Sequence, residues 1–254
     1  MKRKSTRSNN SGQALIIASL VITMLLLSTV YYVFEINKDG LKDEMTFEYA
    51  FLATKLSATN AITSALANIS NGGEPTVLLT DLNKLASVIR NHYYETKCDL
   101  SSIPLNVTPY QDGIRISWNS NGSGITSAYV DFVMNFSELS TQYDSEYSTN
   151  ITTTLNIEGT SAGSGNVKSV NVTCRMYNEG EPALANSIRL FYQNETEGSW
   201  TVVDLSNNLN TIDYGNGTYF MSFNVYAQNS FQISARSQDL RDIFVVANTT
   251  CSFV

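Results

Sequence analysis

The chain has 254 residues, of which 15% are charged, with 16 Lys and Arg against 23 Asp and Glu for a net charge of −7. It holds one histidine, His92, and three cysteines, Cys98, Cys174 and Cys251, while Asn, Ser and Thr number 26, 30 and 25, about a third of the chain. An acidic chain with no basic stretch beyond its N-terminus is a poor nucleic-acid binder, one histidine excludes histidine-rich metal sites, and 43% hydrophobic content excludes a disordered polymer.

Lys2, Arg3, Lys4 and Arg7 form a basic cluster, and Ser8 to Gln13 is polar. Ala14 to Phe34 then runs for 21 residues without a charge. As a helix rising ~1.5 Å per residue it spans ~31 Å, close to the ~30 Å hydrocarbon core of a bilayer. Tyr31 and Tyr32 sit near its far end, where interfacial aromatics are favourable. Positive charge on the short N-terminal side places that side in the cytoplasm and everything after Glu35 outside. The alternative is a cleaved secretory signal, but the apolar run exceeds the usual roughly 7–15 residues and no small-x-small site follows it.

The small residue lies before the apolar run, in Ser11-Gly12-Gln13. Basic residues, Gly, Gln and an unbroken apolar helix together resemble the class III signal peptide of archaeal type IV pilin-like proteins. The resemblance covers residues 2–34. It implies that a membrane leader peptidase cuts between Gly12 and Gln13 on the cytoplasmic side and that the apolar helix stays attached. Removing the four basic residues leaves 12 against 23, or −11. Two positions depart from the family: Ser11 replaces a frequent basic residue, and Ile17 stands at the fifth mature position, where many pilins carry a Glu that pairs with a neighbouring subunit. An uncleaved signal anchor is the other reading of the same segment.

From Leu41 to Ile69 the apolar residues Leu41, Met45, Leu52, Leu56, Ile62 and Leu66 follow helical spacing with one slip, and six alanines favour a helix. Gly40 marks an expected break and Asn71-Gly72-Gly73 a stop. A second helix is expected after a cap at Thr80 or Asp81, with Leu82, Leu85, Val88, Ile89 and Tyr93 on one face. His92 falls beside that face, as a partly buried structural residue. Asp43, Glu44 and Glu48 read as the wet face of the first helix. Leu105–Thr108 and Ile114–Trp118 read as a hairpin joined by Gln111-Asp112-Gly113, and Ala128–Phe136 as a third strand with Tyr129, Phe132 and Met134 among its apolar positions.

Beyond about Glu146 the pattern is strand and turn. Strands are expected at Thr149–Ile157, Val167–Tyr177, Ser187–Tyr192, Trp200–Val203, Thr218–Tyr226, Phe231–Ala235 and Ile243–Ala247, with a flexible turn over residues 159–165. This spacing fits an immunoglobulin-like two-sheet sandwich. The run from Cys174 to Tyr192 resembles the strand–turn–strand of adhesion-related immunoglobulin-like repeats, which implies a spacer or binding module. The fold class expected is therefore α+β. A basic leader occupies 1–12 and a transmembrane helix 13–36. A helix-plus-antiparallel-sheet module occupies 37–142 and the all-β sandwich 143–254.

Cys174 and Cys251 both fall in the expected sandwich, and an extracellular setting favours a disulfide between them; its loop of about 76 residues contributes ~4 kcal/mol when unstrained. Cys98 is left over, free or paired with another subunit. No Cys-x-x-Cys or Cys–His spacing suggests a metal. Sequons occur at Asn9, on the inner side, and at Asn68, Asn106, Asn121, Asn135, Asn150, Asn171, Asn194, Asn216 and Asn248, on the outer side. They fit a glycosylated surface protein.

No phosphate loop, nucleophile elbow or zinc-protease motif is present. Asp239, Arg241 and Asp242 read as a turn salt bridge rather than a catalytic pair, and the spacing of Glu146, Glu179 and Glu181 matches no calcium loop. No catalytic residue, cofactor or metal is expected. The functional expectation is a membrane-anchored extracellular structural or adhesion protein, pilin-like, as filament subunit or minor pilin. It is held by residues 14–34 and able to form a homo-oligomer or filament through the apolar helix. The alternative is a signal-anchored cell-surface module that binds a glycan, an envelope layer or a partner cell and does not assemble.

Overall fold

The computed structural model describes residues 11–93, 97–119, 121–138, 141–163, 165–193, 198–227 and 231–253, with side chains described in all of these except 11–21, 34–47, 138, 141 and 252–253. The chain divides into two compact units, Met1–Lys55 and Leu56–Val254.

The first helix, α1, runs from Ser11 to Ser70 without a break. The interruption expected at Gly40 does not occur; one glycine costs a helix only about 1 kcal/mol, which its good helix formers offset. In the first unit, Ile22, Met24, Leu25, Leu26, Leu27, Val30, Tyr31, Tyr32 and Val33 are all 56–67% exposed. Among the described residues no helix is long and apolar enough to cross a membrane. Ala14 to Val21 of the apolar run lie outside the residues whose side chains are described, as do Asp43 and Glu44.

In the second unit the closing turns of α1 bury Ala58, Ile62, Ala65, Leu66 and Ile69. These recur at four, seven, eight and eleven residues, a single stripe. Leu56, expected on the buried face, is exposed. It lies two residues, about half a turn, from Ala58, so it points away from the stripe formed by Ala58, Ile62, Ala65, Leu66 and Ile69. The helix stops at Asn71-Gly72, where Gly72 takes φ +96°.

Helix α2 covers Val77–His92 with Thr76 at its N-cap, not Thr80 or Asp81. Thr80 instead donates back to Thr76 O at 2.9 Å, and Asp81 pairs with Lys84 at 3.1 Å. Leu78, Leu82 and Ile89 are buried, whereas Val88 and His92 are exposed. His92 stands edge-on to Tyr93 at 4.8 Å, which corrects its expected part-burial: it sits in the last turn, past the buried stripe.

Strand β1 is Cys98–Pro104, β2 is Ile114–Trp118 and β3 is Ser123–Glu138. Residues 105–108 are not a strand, and β1 and β2 do not form a hairpin. Both pair with the same edge of β3, one after the other: β1 against 130–136 and β2 against 124–128. The segment carrying Gln111-Asp112-Gly113 loops out between them. Strand β4, Thr141–Ala162, pairs with β3 from Glu138↔Thr141 to Ser123↔Asn156. The turn expected over residues 159–165 is thus half strand. The boundary expected near residue 142 falls inside this hairpin, so the sheet runs straight through it.

The remaining strands are β5 Val167–Asn178, β6 Glu181–Pro182, β7 Ala185–Gln193, β8 Trp200–Val202, β9 Asn210–Asp213, β10 Thr218–Tyr226, β11 Gln232–Asp239, β12 Phe244–Thr250 and β13 Ser252–Phe253. Among the described residues they form two sheets. The larger is ordered β1-β3-β4-β5-β10-β9, and the smaller β12-β11-β7-β8. Pairing is antiparallel except for β13 on β4.

Period-two alternation decides which face is buried. On β5, Val170, Val172, Cys174 and Met176 point inward, and on β10 Tyr219, Met221, Phe223 and Val225. They meet Leu190, Ile233, Ala235, Val245 and Ala247 from the smaller sheet in one core. Two sheets packed around a shared apolar core make this part of the chain a β-sandwich, and with the helices the fold is α+β. On β3 the same parity buries Val130, Phe132, Met134 and Phe136, while Tyr129 is on the opposite face. Helix α2 packs against β1 at that end of the sheet.

Candidate functional site

The expected cleavage point, Gly12 and Gln13, lies on α1, but neither side chain is described. Further along the helix, from Ile22 to Val33, large apolar side chains face water. The polar residues among them, Ser28 and Thr29, turn their hydroxyls back onto the carbonyls of Leu25 and Leu26 at 2.8–3.1 Å, so they need no water of their own.

The sequon asparagines distribute over the second unit. Asn68, Asn106, Asn121, Asn150, Asn171 and Asn216 are exposed, and Asn135 and Asn248 are half-buried. Asn9 and Asn194 lie outside the described residues. Two sequons have loop geometry suited to a glycan. Asn121 Oδ1 accepts from Ser123 N at 3.3 Å, and Asn216 Oδ1 accepts from Thr218 N at 3.1 Å. Each is an Asx-turn linking the asparagine to its own hydroxyl residue. Asn150 is tied down by comparison, its Oδ1 accepting from Ser127 Oγ and Thr152 Oγ1, both at 3.1 Å.

Cys98, Cys174 and Cys251 are free, buried thiols, and the expected Cys174–Cys251 disulfide is not formed. Both thiols face the shared core: Cys174 stands opposite Ile157 on β4, and Cys251 Sγ lies 3.5 Å from where a Cβ on Gly159 of β4 would sit. Burial pushes the Cys174 thiol up to about 12. Burial, then the nearby Asp99, pushes Cys98 up to about 11. Burial also raises Cys251, against a hydrogen bond with Ser161. Neutral buried thiols of this kind are inert rather than nucleophilic.

The charged cluster flagged in the sequence is a structural clasp built on Arg241. Asp239 is 0% exposed. Its Oδ1 accepts from Arg241 N at 2.8 Å and Ile243 N at 2.9 Å. Its Oδ2 accepts from Arg241 Nε at 2.8 Å and Thr153 Oγ1 at 2.9 Å. Arg241 Nη1 reaches Glu179 Oε1 at 2.8 Å, and that same oxygen accepts from Thr152 N at 2.9 Å. Burial lowers the Arg241 pKa, but its bonds to Glu179 and Asp239 outweigh this and hold it above the ordinary value. The clasp joins β4, the β5–β6 turn and the β11–β12 turn. Asp242 is exposed and takes no part in it. Glu179 is thus committed to Arg241 and is not grouped with Glu146 and Glu181; no metal-binding cluster occurs among the described residues.

What sequence reasoning did not find is an aromatic groove on the outer face of the smaller sheet. Trp118, Trp200 and Phe244 line one part of it, with Arg236. Trp118 meets Phe244 edge-on at 5.5 Å and donates from Nε1 to Thr126 Oγ1 at 3.1 Å. The period-two alternation of β7, β11 and β12 carried the signal, since every second residue there faces away from the core. No family model and no curated protein matches the chain.

Proposed function

We propose that this chain is a membrane-anchored extracellular structural or adhesion protein of the pilin-like kind. Its apolar helix, residues 14–34, holds it in the membrane and packs subunits together as a filament subunit or minor pilin. An immunoglobulin-like sandwich stands outside and carries N-linked glycans. The observation that carries this reading is the exposed apolar helix surface from Ile22 to Val33, which water does not tolerate over such a length. The basic residues before it set the orientation. The Asx-turn sequons at Asn121 and Asn216 support glycosylation of the outer part.

N-terminal sequencing of the mature protein, together with shearing of cells, tests this. A start at Gln13 and recovery in the sheared filament fraction are expected. A retained Met1 or Lys2 in a protein that stays wholly with the cell body rejects pilin-type processing and leaves the signal-anchored binding module.

A further inference from the structure

The outer face of the smaller sheet carries two arginines with no ion-pair partner among the described residues. Arg189 on β7 and Arg236 on β11 are register partners and both face away from the core. Their Cβ atoms are therefore ~5 Å apart, and like charges directly opposite each other destabilise a sheet. Acidic residues outnumber basic ones in this chain by 23 to 16, yet neither arginine forms an ion pair among the described residues. Asp213 shares a cavity lining with Arg189 but forms no ion pair with it; its Oδ1 accepts from Gly215 N at 2.7 Å. Two adjacent arginines of this kind can receive an anion, and a guanidinium matches a carboxylate in two-pronged geometry.

Aromatic surface surrounds that receptor. Two grooves, of about 280 and 320 Å³, adjoin through Arg236 and Phe244. The chain has only two tryptophans, and both line the first groove. Trp200 is 37% exposed, and the Arg236 guanidinium lies 4.1 Å from the centre of the Phe191 ring. Flat aromatic faces beside the half-buried Asn248 suit a ligand with apolar ring faces and hydroxyl edges. Peptides commonly add to a sheet edge, whereas this groove lies on a sheet face.

We propose that this groove binds an acidic oligosaccharide, with Arg189 and Arg236 on a sugar carboxylate and the tryptophans against pyranose rings. Asn248, half-buried in the groove, is then a ligand contact and remains unmodified. The inference goes beyond the anchoring reading and does not depend on it.

Titration of the full chain in detergent with trigalacturonic acid, followed by intrinsic tryptophan fluorescence, tests it, because both fluorophores line the groove. A saturable change is expected. It weakens about tenfold with the methyl-esterified trimer, with Arg236→Gln and with Arg189→Gln, as expected for loss of a charge-assisted contact. Arg175→Gln, whose arginine pairs with Glu158 on the other sheet, binds as the parent does. Trp200→Ala weakens both trimers alike; should that variant misfold by circular dichroism, the surface arginine variants decide alone. The proposal is overturned by no saturable change, by equal binding of the esterified trimer, by tighter binding of hexaglutamate than of the sugar, or by a glycan on Asn248 in peptide mass spectrometry.

Discussion

Arg241 donates to three segments at once, and its removal isolates a carboxylate that water cannot reach. Asp239 is wholly buried, so Arg241→Ala leaves an uncompensated buried charge. We expect a loss of about 3–5 kcal/mol, read as a lower urea midpoint at unchanged slope; a loss below about 1 kcal/mol contradicts the clasp. The buried thiols give a second prediction at this scale. Cys174 has an unfolded value of 9.0 and a folded value of about 12. Between these, the unfolded chain has lost the proton and the folded chain keeps it, so stability falls as pH rises, by about 1.4 kcal/mol per unit for this group. Below pH 9 the effect is absent. Melting temperature followed from about pH 8 to about pH 11 shows the decline, and Cys174→Ala makes it shallower while lowering the whole curve. An unchanged slope in the variant rejects the assignment.

Among elements, the β3–β4 hairpin and its contact with β12 decide how closely the two sheets approach. A Cβ added at Gly124 comes within 1.9 Å of Val246 O, a backbone atom that cannot rotate away. Gly124→Val forces the sheets apart, and we expect about 2–3 kcal/mol of destabilisation in thermal or urea unfolding. Much of this level was legible in the chain. Strand β10 was expected at Thr218–Tyr226 and has those bounds, because the segment is rich in aromatic and β-branched residues and Asn216-Gly217 marks the turn before it. Strand β1 was missed because CDLSSIP is half polar and alternation over so few residues is weak. The buried stripe of α1 was legible at Ile62 and Leu66, which are buried, but not at Leu52 and Leu56, which are exposed while Ala58 and Ala65 face inward.

For the whole molecule, the testable property is partition between membrane and water. A charge at the centre of the apolar helix is costly to insert, about 2.5–3.5 kcal/mol for Arg. Leu26→Arg is therefore expected to move the protein from the membrane pellet toward the soluble or degraded fraction, measured by fractionation and blotting. Full retention in the pellet contradicts anchoring by this helix.

Local pattern alone determined that helices come first and strands follow, the α+β class and a two-sheet sandwich, because period and turn chemistry act over a few residues. The apolar N-terminal run and the sequon positions are likewise properties of the chain itself. Tertiary structure decided what depends on partners far apart in sequence. It set β1 and β2 in line on one edge of β3, and left Cys174 and Cys251 as separate buried thiols in one core. It bound Glu179 to Arg241 and brought Arg189 beside Arg236 with both tryptophans in one groove. Strand register is fixed by which faces must be buried together, and that constraint exists only once the two sheets meet.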